Sequence, residues 1–116
     1  MKHTVSLKQN RDFRWLYAKG KSAVSPYLAL YCRKSRLPYN RLGITVGGKL
    51  GGAVTRNKVR RRLRELYRTN EDKLNPGYDI VVVARVRAVS APYHTLEQSF
   101  LRLAGKLGIG GKDETP

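Results

Sequence analysis

Thr55-Arg56-Asn57-Lys58-Val59-Arg60-Arg61-Arg62-Leu63-Arg64-Glu65-Leu66-Tyr67-Arg68 carries two patterns at once. Val59, Leu63, Leu66 and Tyr67 fall at i, i+4, i+7 and i+8, the spacing of one helical face, and fill an arc of roughly 100°. Asn57, Arg61, Arg64 and Arg68 gather on the opposite side, within roughly 60° of one another. Seven of the thirteen residues from Arg56 to Arg68 are basic and only Glu65 is acidic. A helix so divided docks on a core with one side and offers guanidinium forks with the other. Those forks match phosphate oxygens in pairs, so the partner they fit is a polyanion.

The segments on either side set the fold. Arg41 to Val46 alternates through Leu42, Ile44 and Val46. Beyond the turn signal Asn75-Pro76-Gly77, Tyr78 to Val86 is β-branched and almost wholly apolar, the mark of a strand covered on both faces. Two strands flanking a helix at residues 53 to 69 are expected to be parallel, as in a split β-α-β unit, with a right-handed crossover the ordinary outcome. Gly47 to Gly52 reads as a flexible connector. Further out, Tyr27 to Arg33 places Leu28, Leu30 and Cys32 on one face and Tyr27, Ala29, Tyr31 and Arg33 on the other. Ser35 to Asn40, with Pro38, is a turn. Asn10 caps a helix from Arg11 to Lys19, with Phe13, Leu16 and Tyr17 on one face and Gly20 as its stop. A short extra strand fits near Ser22 to Ser25. Ser90, Ala91 and Pro92 open a last helix whose face is Tyr93, Leu96, Phe100, Leu103 and Leu107. Residues 1–9 read as a loosely ordered basic arm and residues 108–116 as a disordered tail, leaving a single domain over 1–107. The order is α-β-β(-β)-α-β-α, an α+β sandwich with helices stacked on one mixed sheet.

Composition narrows the partner. The chain has 116 residues, 41% of them hydrophobic, which suits one core and not two. Its 24 Lys and Arg against 8 acids give a net charge of +16. Self-repulsion on that scale is relieved by a polyanion. A membrane surface is the rival, but no apolar segment is long enough to span one, and the basic helix has too few bulky apolar residues to anchor at an interface. The N-terminus lacks the apolar stretch of a signal peptide. One cysteine cannot form an internal disulfide, so a reducing cytoplasm is the expected compartment.

Each candidate site has a plainer alternative. A solvated helix face carries acids interleaved at i,i+4, and here Glu65 alone stands against seven basic residues. Phosphate binding explains that imbalance, and the glycines before the helix leave backbone N–H groups open to an anion. A P-loop is excluded, because Gly52 runs into Ala53-Val54 and not into Gly-Lys-Ser/Thr. Phe13 and Tyr17 share a helix face that also supports the core, which leaves Tyr31 the ring freest to act. Beside Arg11, Arg14 and Arg33 these rings suit stacking on a single strand, with core packing the alternative for Phe13. Trp15 falls off that face. His3 and His94 stand apart, and the acids form no cluster of the kind that two-metal phosphodiester cleavage needs. Cys32, on a leucine-rich face, reads as a buried structural thiol. No side chain is therefore assigned to catalysis or to a metal.

Gly51-Gly52-Ala53-Val54-Thr55-Arg56-Asn57-Lys58-Val59-Arg60-Arg61 resembles the signature segment of the protein subunit of bacterial ribonuclease P. Asp12-Phe13 with Tyr17 and Gly20, Leu28-Ala29-Leu30-Tyr31, Arg41-Leu42-Gly43-Ile44-Thr45-Val46 and Val81-Val82-Val83-Ala84-Arg85 match in the family's order, over roughly residues 5 to 107. Two departures stand out. Lys58 replaces an arginine, keeping the charge without the fork, and Gly47-Gly48-Lys49 replaces Ser-Lys-Lys or Ala-Lys-Lys, removing one basic residue. The resemblance implies a left-handed crossover and a single RNA-binding domain. It implies a protein that assists Mg2+-dependent removal of the 5′ leader from precursor tRNA, with the hydrolysis and most of the Mg2+ belonging to the RNA subunit. Lys49, Arg56, Asn57, Lys58, Arg60, Arg61, Arg64 and Arg68 would then face ribonuclease P RNA. Phe13, Tyr17 and Tyr31, with Arg33, Arg85 and Arg87, would receive the leader. A monomer in a 1:1 protein–RNA complex is expected, with neither DNA nor membrane as partner. A small basic ribosomal protein is the alternative, and it has no need of an aromatic cleft. A DNA-binding regulator is weaker still, since no helix-turn-helix spacing appears.

Overall fold

The computed structural model describes residues 3–110. In chain order these form β1 (Thr4–Ser6), α1 (Asn10–Lys19), β2 (Lys21–Val24), β3 (Leu28–Lys34), β4 (Asn40–Thr45), α2 (Ala53–Asn70), β5 (Tyr78–Ala84) and α3 (Tyr93–Leu107), with short 3-10 turns at Gly48–Leu50, Glu71–Lys73 and Val86–Ala88. The strands make one mixed sheet in the order β1-β4-β5-β3-β2. β4 pairs parallel with both β5 and β1, whereas β3 pairs antiparallel with β5 and β2.

Alternation along the strands divides the side chains between two cores. Leu28, Leu30, Cys32, Leu42, Ile80 and Val82 face α2 and α3, meeting Val59, Leu63, Leu66 and Tyr67 from the first helix and Leu96, Phe100 and Leu103 from the second. On the other face Val81, Leu16 and Leu7 form a smaller core, against which Phe13, Tyr31 and Val83 pack. The central strand β5 is thus covered on both sides, as its unbroken apolar run predicts. α1 covers only part of its face, so the sheet beside it stays open: Val24 is 53% exposed.

Four expectations need correction. Residues 4–6 are not a loose arm: β1 pairs with β4 in the register Thr4↔Asn40 to Ser6↔Leu42, and Leu7 is buried. The Thr4 hydroxyl bonds the Tyr67 phenol at 2.8 Å and also donates to Glu71, closing the strand onto α2. The β-α-β unit is not split, because β4 and β5 are direct neighbours with no strand between them. The 47–52 connector is not wholly flexible, since Leu50 is buried within its 3-10 turn. Finally, the domain does not stop at residue 107. Gly108 caps α3 at φ 77°, and Ile109 is fully buried and accepts a 2.8 Å hydrogen bond from the Asn75 amide. Only residues 111–116 of the expected tail lie outside the described residues.

Candidate nucleic-acid interface

α2 divides as its spacing requires. Val59, Leu63, Leu66 and Tyr67 are buried, while Asn57, Lys58, Arg61, Arg64 and Arg68 are exposed. Three of the expected RNA contacts are held in place locally. The Arg56 Nε donates to the Gly51 carbonyl at 3.1 Å, and the Arg60 Nη1 donates to the Asn57 Oδ1 at 2.7 Å. Arg68 grips Glu65 through Nε and Nη2 at 3.0 and 2.6 Å. The single acid of the helix therefore neutralises Arg68 and leaves Arg61 and Arg64 to present uncompensated charge. Lys49 is exposed on the turn that feeds the helix, anchored by its neighbour Leu50. Gly51 takes φ 133°, which lets the chain turn sharply into α2. The helix start has no side-chain cap, so its first N–H groups remain available to an anion.

Across the sheet, Phe13, Tyr17 and Tyr31 come together as expected. The Phe13 and Tyr17 centroids are 6.3 Å apart, and Tyr17 meets Tyr31 edge-on at 5.1 Å. Tyr17 is 41% exposed and its hydroxyl is 2.7 Å from that of Thr45. Tyr31, by contrast, packs against the smaller core, so Tyr17 and not Tyr31 is the freest ring. Phe13 belongs to both readings: one side packs on the core, and its edge lines a groove of about 460 Å³ with Asn10, Arg14, Tyr17, Ile44 and Thr45. A second crevice, of about 140 Å³, is lined by Ser6, Leu7, Phe13, Gly43, Arg60 and Arg64 among others. Phe13 thus lies between the ring groove and the arginines of α2, which the sequence patterns could only treat separately.

The remaining basic residues behave differently from one another. Arg33 is not a free cation at the groove: it donates to Asp12 and to Asp79, both at 2.8 Å, and lies 4.8 Å from the Trp15 ring centre. Asp79 is fully buried on β5, directly opposite Arg33 on β3 and Arg41 on β4, and Arg41 adds two bonds of 2.7 Å. Burial alone would push the Asp79 carboxyl up, but the hydrogen bonds from Arg41 and Arg33 outweigh it and hold the group below its ordinary range. Two acids that seem scattered in the sequence therefore fasten α1 to the sheet, through a cluster that includes Arg41, which sequence reasoning missed. Arg85 is exposed beyond β5 and its Nη1 donates to the Ser25 carbonyl at 2.8 Å. Arg87 lies over Tyr27, at 5.4 Å, and Tyr27 packs on the α2–α3 side. The structure does not bring Arg87 to the three rings.

Among the described residues no group of three or more His, Cys, Asp or Glu side chains could hold a metal ion. Cys32 is buried, and burial pushes its thiol up despite nearby Lys21. No described helix is long and apolar enough to cross a membrane.

The chain is similar to known proteins over most of its length. The family model described as ribonuclease P matches residues 1–108. The ribonuclease P protein component of Clostridioides difficile is 43% identical over 107 residues, covering 91% of this chain and 94% of that one. Its counterpart from Natranaerobius thermophilus is 42% identical over 106 residues, 91% of this chain and 92% of the other. Among solved structures, the Staphylococcus aureus RNase P protein superposes with a TM-score of 0.82 at 30% identity, over 90% of this chain and 96% of that one. The Thermotoga maritima RNase P protein gives 0.77 at 35% identity, over 84% and 92%.

Proposed function

The chain belongs to the ribonuclease P protein family and is a protein subunit of that tRNA-processing endoribonuclease, and on this premise we propose that α2 docks on the ribonuclease P RNA while the ring groove receives the 5′ leader of precursor tRNA. Family membership sets aside the small ribosomal protein as an alternative. The observation that carries the division of labour is the crevice at Phe13, where Arg60 and Arg64 meet the edge of the aromatic groove. One molecule can then hold a structured polyanion on its helix and a single strand on its rings. Lys58, Arg61 and Arg64 supply the exposed charge, and Lys49, Arg56, Asn57, Arg60 and Arg68 extend the surface along α2. Arginine forks there screen the repulsion between two RNAs. On the open sheet face, Tyr17 and Tyr31 offer rings to bases, which stack without regard to sequence.

We assign hydrolysis to the RNA subunit, in a 1:1 cytoplasmic complex. The protein's own carboxylates support that assignment. Asp12 and Asp79 are bound by arginines, Glu65 is held by Arg68, and among the described residues the acids, histidines and cysteine form no group of three or more that could hold a metal ion. No such group suits a Mg2+ ion, and we assign the ions that the reaction needs to the RNA. Reconstitution tests this reading. Purified protein added to a bacterial ribonuclease P RNA should speed leader removal at limiting Mg2+, and protein freed of RNA should leave the precursor intact. Cleavage by the protein alone, or no effect on the RNA, would overturn it.

A further inference from the structure

We propose that the flank of α1 opposite the ring groove is a second nucleotide site, where Trp15 stacks on a base of single-stranded RNA and lysines hold its phosphates. This rests on the RNA-binding reading above, but on other residues. α1 has two flanks. Phe13 and Tyr17 lean toward Thr45, whereas Asp12, Trp15 and Lys19, at i, i+3 and i+7, share the other side. Trp15 is 41% exposed there, although a ring of that size normally gains most by burial. It lines a cleft of about 270 Å³ with Lys19, Lys21, Arg33, Lys34 and Tyr78. No carboxylate lines that cleft among the described residues, and while Asp12 and Asp79 offset Arg33, the three lysines are left uncompensated. The volume suits one base or one phosphate ester and little more.

The cleft is also set before any ligand arrives. The Arg33 guanidinium sits over the Trp15 ring at 4.8 Å and is itself fixed by 2.8 Å hydrogen bonds to Asp12 and Asp79. A ring held by a clamped cation loses little freedom when a base stacks on it, and surrounding positive charge draws the adjoining phosphates. A purely structural pair of Trp15 and Arg33 would need neither the exposed ring nor the three lysines.

Trp15 is the only tryptophan of the chain, so its emission reports this site alone. The full-length protein would be titrated with an unstructured uridine decamer, following Trp15 emission and, in parallel, the anisotropy of a labelled decamer. Saturable quenching is expected. Replacing two of the three exposed lysines, Lys19→Ala with Lys21→Ala, should lower the log–log salt slope by about 0.7 for each lost contact. Trp15→Ala should weaken binding about five-fold or more and Trp15→Phe should restore most of it. Binding seen by anisotropy with Trp15 emission unchanged, or with a salt slope indifferent to the lysine pair, would overturn the site. So would loss of the Trp15 response in Tyr17→Ala, since the signal would then belong to the ring groove. Absence of any RNA binding would instead bring down the wider reading and this one with it. In the holoenzyme, a response to precursor but not mature tRNA marks the leader as the source. A response already complete on adding ribonuclease P RNA marks that RNA, and silence in both overturns the proposal.

Discussion

Gly43 lies buried on β4 directly beneath the Phe13 ring. A Cβ built there would stand 2.5 Å from the Phe13 Cζ and 2.6 Å from its Cε1. The absence of a side chain is therefore what lets the ring lie on the strand and wall both the groove and the crevice. Gly43→Ala should cost about 1–3 kcal/mol through overpacking, read as a lower melting temperature, and should weaken precursor tRNA binding as the ring is displaced. A variant with unchanged stability and binding would show that Phe13 can move freely. Asp79 is the second residue on which α1 depends. Its carboxyl is held below the ordinary carboxylate range, so it contributes stability above that range and loses it as pH falls through the depressed native value. Asp79→Asn should lower stability at neutral pH by about 3 kcal/mol, since two partly buried guanidiniums lose their anion. It should also flatten the acid limb of a stability–pH curve. An unchanged acid limb would mean that other carboxylates govern it. Neither role was legible in the sequence. A glycine in a strand announces a close approach without naming the ring, and Asp79 meets its arginines only through strand register.

At the level of elements, legibility followed the length of the pattern. α2 and α3 repeat their apolar spacing over several turns, and β5 is a long apolar run, so all three were readable to within a few residues. β1 has three residues, its Val5 is 49% exposed, and its anchors are hydrogen bonds to distant partners. A strand of that kind leaves no hydrophobic period to detect. The segment after α3 failed for a related reason. One isoleucine among glycines resembles a tail, yet Ile109 fills the core. Ile109→Ala should then cost about 2–5 kcal/mol of unfolding free energy, whereas a disordered tail would show no change. For α2 the expectation concerns charge. Arg61→Ala with Arg64→Ala should weaken binding to ribonuclease P RNA and reduce the log–log salt slope by about 0.7 to 0.9 per lost phosphate contact, with little change in melting temperature. An unaltered slope would mean that this face does not touch phosphate.

Across the whole molecule, the sheet separates the two tasks. α2 and α3 build the larger core on one face and turn arginines outward, while α1 covers only part of the other and leaves rings beside it. With a charge of +16 the entire surface attracts RNA, so loss of affinity alone cannot identify a leader groove. Comparing two ligands can, because precursor and mature tRNA share everything except the leader. Tyr17 is the ring to remove: it is 41% exposed, it stands outside the smaller core, and its one side-chain hydrogen bond is to the hydroxyl of Thr45. If it stacks on a leader base, Tyr17→Ala should cost the holoenzyme about 1–3 kcal/mol of precursor affinity and leave mature tRNA binding nearly unchanged. Tyr17→Phe keeps the ring and gives up only the hydrogen bond, so it should behave close to the parent. Equal losses for both tRNAs in a protein that melts normally would place Tyr17 on a general RNA surface. A loss shared by the alanine and phenylalanine variants would point to the hydroxyl, and to Thr45, as what the leader reads.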